Sequence, residues 1–194
     1  MARTKVFDED LILNKAMHLF WEKGYTATTA QDLVDRLGIS RSSLYDTYGD
    51  KHSLFVRALK KYRLERIDHV IQEAATAPDV EKYLRDMFEY VKNEALQENY
   101  ARGCFIVNSA VELAPCDPEV ATIVQSITQD MEDAACNAIQ RGQEQGVFTT
   151  QFSALSLSRF FLNTLNGLRV TVKVETRKQA FDDIINVCLA ALKA

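Results

Sequence analysis

The chain has few of the residues that build metal centres, disulfide frameworks or nucleophilic active sites. Four cysteines and three histidines are spread over 194 residues, and Cys104, Cys116, Cys136 and Cys188 form no C-x-x-C pair. That leaves no pattern for a zinc site or a disulfide scaffold, so no cofactor and no metal are expected, and reduced thiols in a cytosol fit best. No run approaches the roughly 18 apolar residues of a membrane span, and the segment Met1 to Asp10 lacks the apolar core of a secretion signal. A cytoplasmic protein without membrane contact is the expectation. An excess of positive charge is missing too. The formal net charge of −4 argues against a general polyanion binder, so any nucleic-acid site must be a local patch. Such a patch belongs at the amino end, where residues 1–66 hold 12 Lys and Arg against 9 Asp and Glu, while the remainder holds 11 against 18.

What is present is helical periodicity. With 47% hydrophobic and 26% charged residues there is material for a full core, and the apolar residues recur at i, i+3, i+4 and i+7 nearly throughout, which predicts an all-α fold. Leu13, Ala16, Met17 and Phe20 mark a first helix from Asp8 to Gly24. Thr29 and Asp32 then make a capping-box-like start, followed by Ala30, Leu33, Val34 and Leu37 on one face. Gly38 supplies a turn, Ile39 plugs the corner, and Ser40 caps a short helix that ends at Gly49. Helix, four-residue turn and helix form a helix-turn-helix, whose second helix lies in the major groove of DNA. In that helix Leu44 is the buried anchor, whereas Arg41, Ser42, Ser43, Tyr45, Asp46, Thr47 and Tyr48 crowd polar groups into two turns suited to phosphates and base edges. Lys51 opens the next helix, where a cation opposes the helix dipole but suits a phosphate. Arg3 and Lys5 could add a short basic arm.

The run Phe20 to Tyr25, the Thr28-Thr29 start, Leu37 to Ser40, Ser43-Leu44-Tyr45 and Gly49-Asp50-Lys51 with Leu54 resemble the amino-terminal domain of TetR/AcrR-family transcriptional regulators over residues 8–57. The resemblance implies a three-helix DNA-binding domain, here residues 1–50, and a larger helical domain, residues 51–194, that binds an effector and dimerises. It also implies backbone contacts to DNA from Thr29, Ser43, Tyr45 and Lys51. Tyr45-Asp46-Thr47-Tyr48 departs from the family's usual Tyr-His-Tyr-Phe, so operator sequence cannot be transferred.

Beyond Lys51 the helical pattern runs unbroken to Pro78, a span of about 40 Å at 1.5 Å per residue. Further helices are expected from Val80, from Cys104 to Ala114, from Asp117-Pro118 towards Gly146, from Ser153 to Lys173 and from Thr176 onward. The last two carry apolar residues over wide arcs, more than one core can cover, and predict a homodimer built through them. A small, largely apolar effector is expected among Tyr62, Tyr83, Met87, Tyr90, Cys104, Phe105, Asn108, Glu112, Ile127, Met131 and Phe161. Asn108 and Glu112 stand out as polar groups one turn apart on an apolar helix.

Together these features predict a DNA-binding repressor that grips a near-palindromic operator as a dimer and is released by the effector. Two alternatives concern Cys104, which follows Arg102 at a helix start: a thiol-based regulator responding to electrophiles or oxidants, and a helical enzyme with a cysteine nucleophile. The enzyme lacks a base, since His18 and His52 belong to the amino-terminal unit and His69 shows no orienting partner, so no catalytic residue is assigned. A helical adaptor with a vestigial helix-turn-helix is a third.

Overall fold

The computed structural model describes residues 7–97 and 102–194; Arg3 and Lys5 lie outside them. The described residues are helical, with one isolated bridge between Phe148 and Lys193. The helices are α1 (Glu9–Lys23), α2 (Ala30–Leu37), α3 (Arg41–Tyr48), α4 (Lys51–Tyr62), α5 (Asp68–Thr76), α6 (Val80–Leu96), α7 (Phe105–Glu112), α8 (Pro118–Glu144), α9 (Ala154–Thr171) and α10 (Lys178–Leu192).

Most of these helices begin where a short polar side chain can satisfy the free amides of the first turn. Asp8 accepts from Asp10 and Leu11, Ser40 from Ser43, Asp50 from Ser53, Asp79 from Lys82, Asp117 from Val120 and Ser153 from Ser156. Between α2 and α3 the backbone turns through Gly38 at φ 70°, a left-handed conformation that glycine adopts without strain.

The helix expected from Lys51 to Ala77 is interrupted. Arg63–Ile67 forms a π-helical turn between α4 and α5. One extra residue in a turn rotates everything downstream by about 100°, so α4 and α5 offer different faces to their neighbours. α4 packs on α1 while α5 packs on α8.

α1 to α4 enclose one part of the core, and α8 lies along α9 with α6 resting on α10 in the other. No seam separates them. Phe55 of α4 meets Phe20 at 5.2 Å and Tyr25 at 5.1 Å on one side and Phe105 of α7 at 5.4 Å on the other.

The turn after α8 fits tightly. A Cβ added at Gly142 would lie 2.3 Å from the ring of Phe148, itself fully buried. Gly142→Ala gains roughly 1 kcal/mol of helix propensity, yet overpacking a buried ring costs about 1–3 kcal/mol. The melting temperature of Gly142→Ala is therefore expected to fall, whereas the propensity gain alone would raise it.

Candidate nucleic-acid interface and ligand cavity

α2 is fixed from both ends of its capping box. Thr29 Oγ1 accepts from Asp32 N at 3.1 Å, and Asp32 Oδ2 accepts from Thr29 N at 2.7 Å. The Asp32 carboxyl is held far below the usual carboxylate range, first by Lys23 and then by Thr29. The Thr29 hydroxyl is thus engaged in the cap, although the residue is exposed.

α3 presents Arg41, Ser42 and Asp46 to solvent, with Ser43, Tyr45 and Thr47 half-buried beside them. The Ser42 and Ser43 hydroxyls lie 3.0 and 2.9 Å from Ser40 Oγ, and the Arg41 guanidinium sits 5.9 Å from the Tyr45 ring centre. The Asp46 carboxylate makes no hydrogen bond among the described residues. Tyr48 departs from the expectation. It is only 3% exposed, because it stands one turn beyond Leu44 on the buried face, and its hydroxyl donates to the Glu9 carbonyl at 3.1 Å. That i, i+4 spacing from Leu44 was the signal that could have excluded it. Lys51 keeps its place at the start of α4 with its ammonium 4.2 Å from the Tyr25 ring centre, and burial lowers its pKa.

A cavity of about 750 Å³ opens between α1, the π turn, α5, α6, the approach to α7 and the end of α9. Tyr62, Tyr83, Met87, Tyr90 and Cys104 line it as expected residues. The other six candidates do not. Phe105 is wedged between Phe55 and Tyr62, Ile127 is in the core, and Phe161 packs edge-on against Phe88 at 5.0 Å. Met131 faces a separate small hollow beside Leu162. Asn108 donates to the Arg102 carbonyl at 2.9 Å.

Glu112 points the opposite way from the cavity. Its carboxylate accepts from the backbone amides of Tyr25 at 3.0 Å and Thr26 at 2.6 Å, in the loop that leads into α2. Burial pushes its pKa up, but the amides of Thr26 and Tyr25 outweigh that and leave it lowered. α7 therefore runs from the cavity, where Cys104 forms its cap, to the helix-turn-helix. Further links cross the same boundary. Trp21 Nε1 donates to the Gly103 carbonyl at 2.9 Å, Arg102 stacks on Trp21 and donates to His18, and His52 lies 2.7 Å from Asp117.

Sequence periodicity missed Trp21, Arg66, Val91, Gly103, Arg169 and Val172 as cavity residues. Nothing along the chain places Arg169 of α9 on one cavity with Tyr62 of α4. Gly103 carries a detectable reason for its identity only in three dimensions: at φ 63°, a Cβ there would lie 2.7 Å from the Arg169 carbonyl oxygen. The enzyme alternative gains no base. His69 does have a partner, Glu73 at 3.4 Å, but among the described residues no histidine bonds to Cys104, whose sulfur lies 3.7 Å from the Tyr62 hydroxyl.

An exposed polar helix presented after a tight glycine turn, on a frame buttressed by α1 and α4, defines a helix-turn-helix DNA-binding protein. Comparison with known proteins gives its family. The family model described as bacterial regulatory proteins, tetR family, matches residues 12–58, and one described as tetracyclin repressor-like, C-terminal domain, matches residues 80–188. The uncharacterized HTH-type transcriptional regulator YezE of Bacillus subtilis (strain 168) is 37% identical over 194 residues, covering 99% of this chain and 100% of its own. The HTH-type transcriptional repressor ComR of Escherichia coli (strain K12) is 30% identical over 174 residues, or 89% of this chain and 82% of its own. In fold, a cysteine mutant of the TetR family regulator CifR, complexed with 26-bp double-strand operator DNA, matches with a TM-score of 0.84 at 22% identity over 98% of this chain and 100% of its own. The chain belongs to the TetR family and is a DNA-binding transcriptional regulator. These relatives are regulators, not enzymes, and among the described residues no helix is long and apolar enough to cross a membrane.

Two outcomes follow from the geometry. Tyr45→Phe and Lys51→Ala are expected to weaken operator and random DNA alike in fluorescence anisotropy, as phosphate contacts do, while Asp46→Ala shifts base preference by about 1–3 kcal/mol at one position; an unchanged preference removes Asp46 from base reading. For Glu112, whose folded-state pKa is lowered, the contribution to stability is present above the unfolded pKa and disappears as pH falls through the folded one. Glu112→Ala is expected to speed hydrogen exchange at the Tyr25 and Thr26 amides at neutral pH and to flatten that part of the acid dependence.

Proposed function

We propose that the protein acts in the cytoplasm as a homodimeric repressor, with residues 1–50 binding a near-palindromic operator and residues 51–194 forming the dimer and taking up a small effector that releases the DNA. The observation that carries this reading is the shared wall between cavity and reading head. Trp21 of α1 lines the cavity, and α7 begins beside that cavity and ends on the amides ahead of α2. A ligand that displaces either element changes where α3 sits, and an effector shifts the equilibrium only by as much as its affinity differs between the two placements.

The dimer reading is supported by apolar area with nothing to cover it. On α9, Phe160 is 45% and Val170 49% exposed, and on α10 Val187 is 69% exposed. Phe160 and Val170 lie seven residues before and three after Gly167 on one face of α9, and no atom lies within 4 Å of a Cβ added at Gly167, so a second helix has room to approach closely. A two-fold pair would set two copies of α3 on one side, as major grooves about 34–36 Å apart require. Cys104 favours a thiol-triggered version of the same release, since it is among the residues that line the cavity.

Phe160→Asp and Val187→Asp bury a charge in the proposed interface. Each is expected to give a monomer by light scattering and to lose most specific retardation of the operator fragment, with helicity retained. A dimer that persists in both variants would move the interface elsewhere.

A further inference from the structure

We propose that the effector is a small monoanion, a carboxylate on an aromatic or short aliphatic body, whose oxygens are met by the Tyr62 hydroxyl and the Arg169 guanidinium, with Arg66 as a second positive group. The inference rests on the effector reading above and names the ligand class of that cavity.

The charges lining the cavity are unequally satisfied. Its carboxylates already have donors: Glu65 is paired with Lys61 at 2.7 Å, Glu73 with His69 and Asp86 with Lys82. Asp79 is occupied by the amide of Lys82, and Glu94 accepts from the Tyr90 hydroxyl at 2.5 Å. The two lining guanidiniums have no such counterpart. Among the described residues Arg169 bonds only to Asn166 Oδ1 of its own helix at 3.5 Å, and Arg66 only to the Tyr90 hydroxyl at 3.2 Å. Neither forms an ion pair there, whereas neighbouring Arg63 and Arg102 each have a carboxylate partner. An incoming amine would compete for acceptors already taken. An incoming carboxylate would find two cations open to it.

Tyr62 adds a donor at the same place. The residue is 6% exposed, its hydroxyl has among the described residues only the Cys104 sulfur within reach, at 3.7 Å, and sulfur is a weak acceptor. Burial first, and the Cys104 thiol next, raise its pKa well above the ordinary value, so the phenol remains protonated; Arg169 and Arg66 line the same cavity. Around these polar atoms the wall is apolar: Trp21, Ile67, Val91 and Val172. A volume near 750 Å³ suits a small organic molecule better than an inorganic ion.

Trp21 is the single tryptophan of the chain and lines the cavity, so its fluorescence reports occupancy without reference to DNA. Phenylacetate and hexanoate are titrated beside their amides and the matching amines, phenethylamine and hexylamine. The carboxylates are expected to bind at least about tenfold more tightly than the amides, with the amines weaker still. Arg169→Gln is expected to abolish that advantage while amide binding stays within about twofold, which also shows that the cavity is intact. Arg66→Gln, at an exposed position, reduces the advantage in part and serves if the first variant does not fold. Amides or amines that equal the carboxylates, no response of Trp21 to either carboxylate, or a full advantage in both variants would overturn the assignment. Operator anisotropy is followed in parallel. A carboxylate that fills the cavity and leaves the operator bound would sink the release reading and leave the ligand class standing.

Discussion

Phe55 is the contact on which the rest depends. Its ring is shared, edge to face, between Phe20 and Tyr25 of the reading head and Phe105 at the start of α7. Tyr62, two turns further along α4, extends the stack to Trp21 at 5.1 Å and back to Phe105 at 5.7 Å. Buried rings at these separations attract through their quadrupoles and tolerate little change of volume. The helix-turn-helix and the cavity are therefore parts of one packed solid, and no break in the core divides them.

Directional contacts set the geometry that the rings leave open. Stacked aromatics can slide, but the Glu112 carboxylate on two successive amides and the Trp21 indole on the Gly103 carbonyl each have one good arrangement. Both lie at the ends of α7 or beside it. This helix is short, eight residues, and short helices move as rigid pieces when one end is pushed. The π turn contributes at the other wall: by rotating the face of the helix it lets Tyr62 belong to the aromatic stack while Val70 and Glu73 face the cavity.

Charge is distributed to match. The chain as a whole is acidic, yet the exposed part of α3 balances Arg41 against Asp46 among neutral hydroxyls, and Lys51 stands at the neighbouring helix entrance. A protein of this kind is not drawn to DNA by bulk attraction, so its affinity rests on a few aligned groups.

Composition, spacing and caps by themselves determined the all-helical class, the helix-turn-helix and almost every helix boundary, because those depend on interactions within a few residues: an Asp or Ser on the next amides, apolar side chains one turn apart, a glycine able to turn at positive φ. They also named five of the residues that line the cavity. The rest was decided only in three dimensions. Tyr48 was taken into the core by its neighbour's face, Glu112 was turned towards Tyr25 and Thr26, and Arg169 was brought from far along the chain to the cavity that Tyr62 lines. Which polar group meets which depends on how helices cross. Crossing geometry follows from the packing of whole surfaces, a property that no local stretch of residues contains.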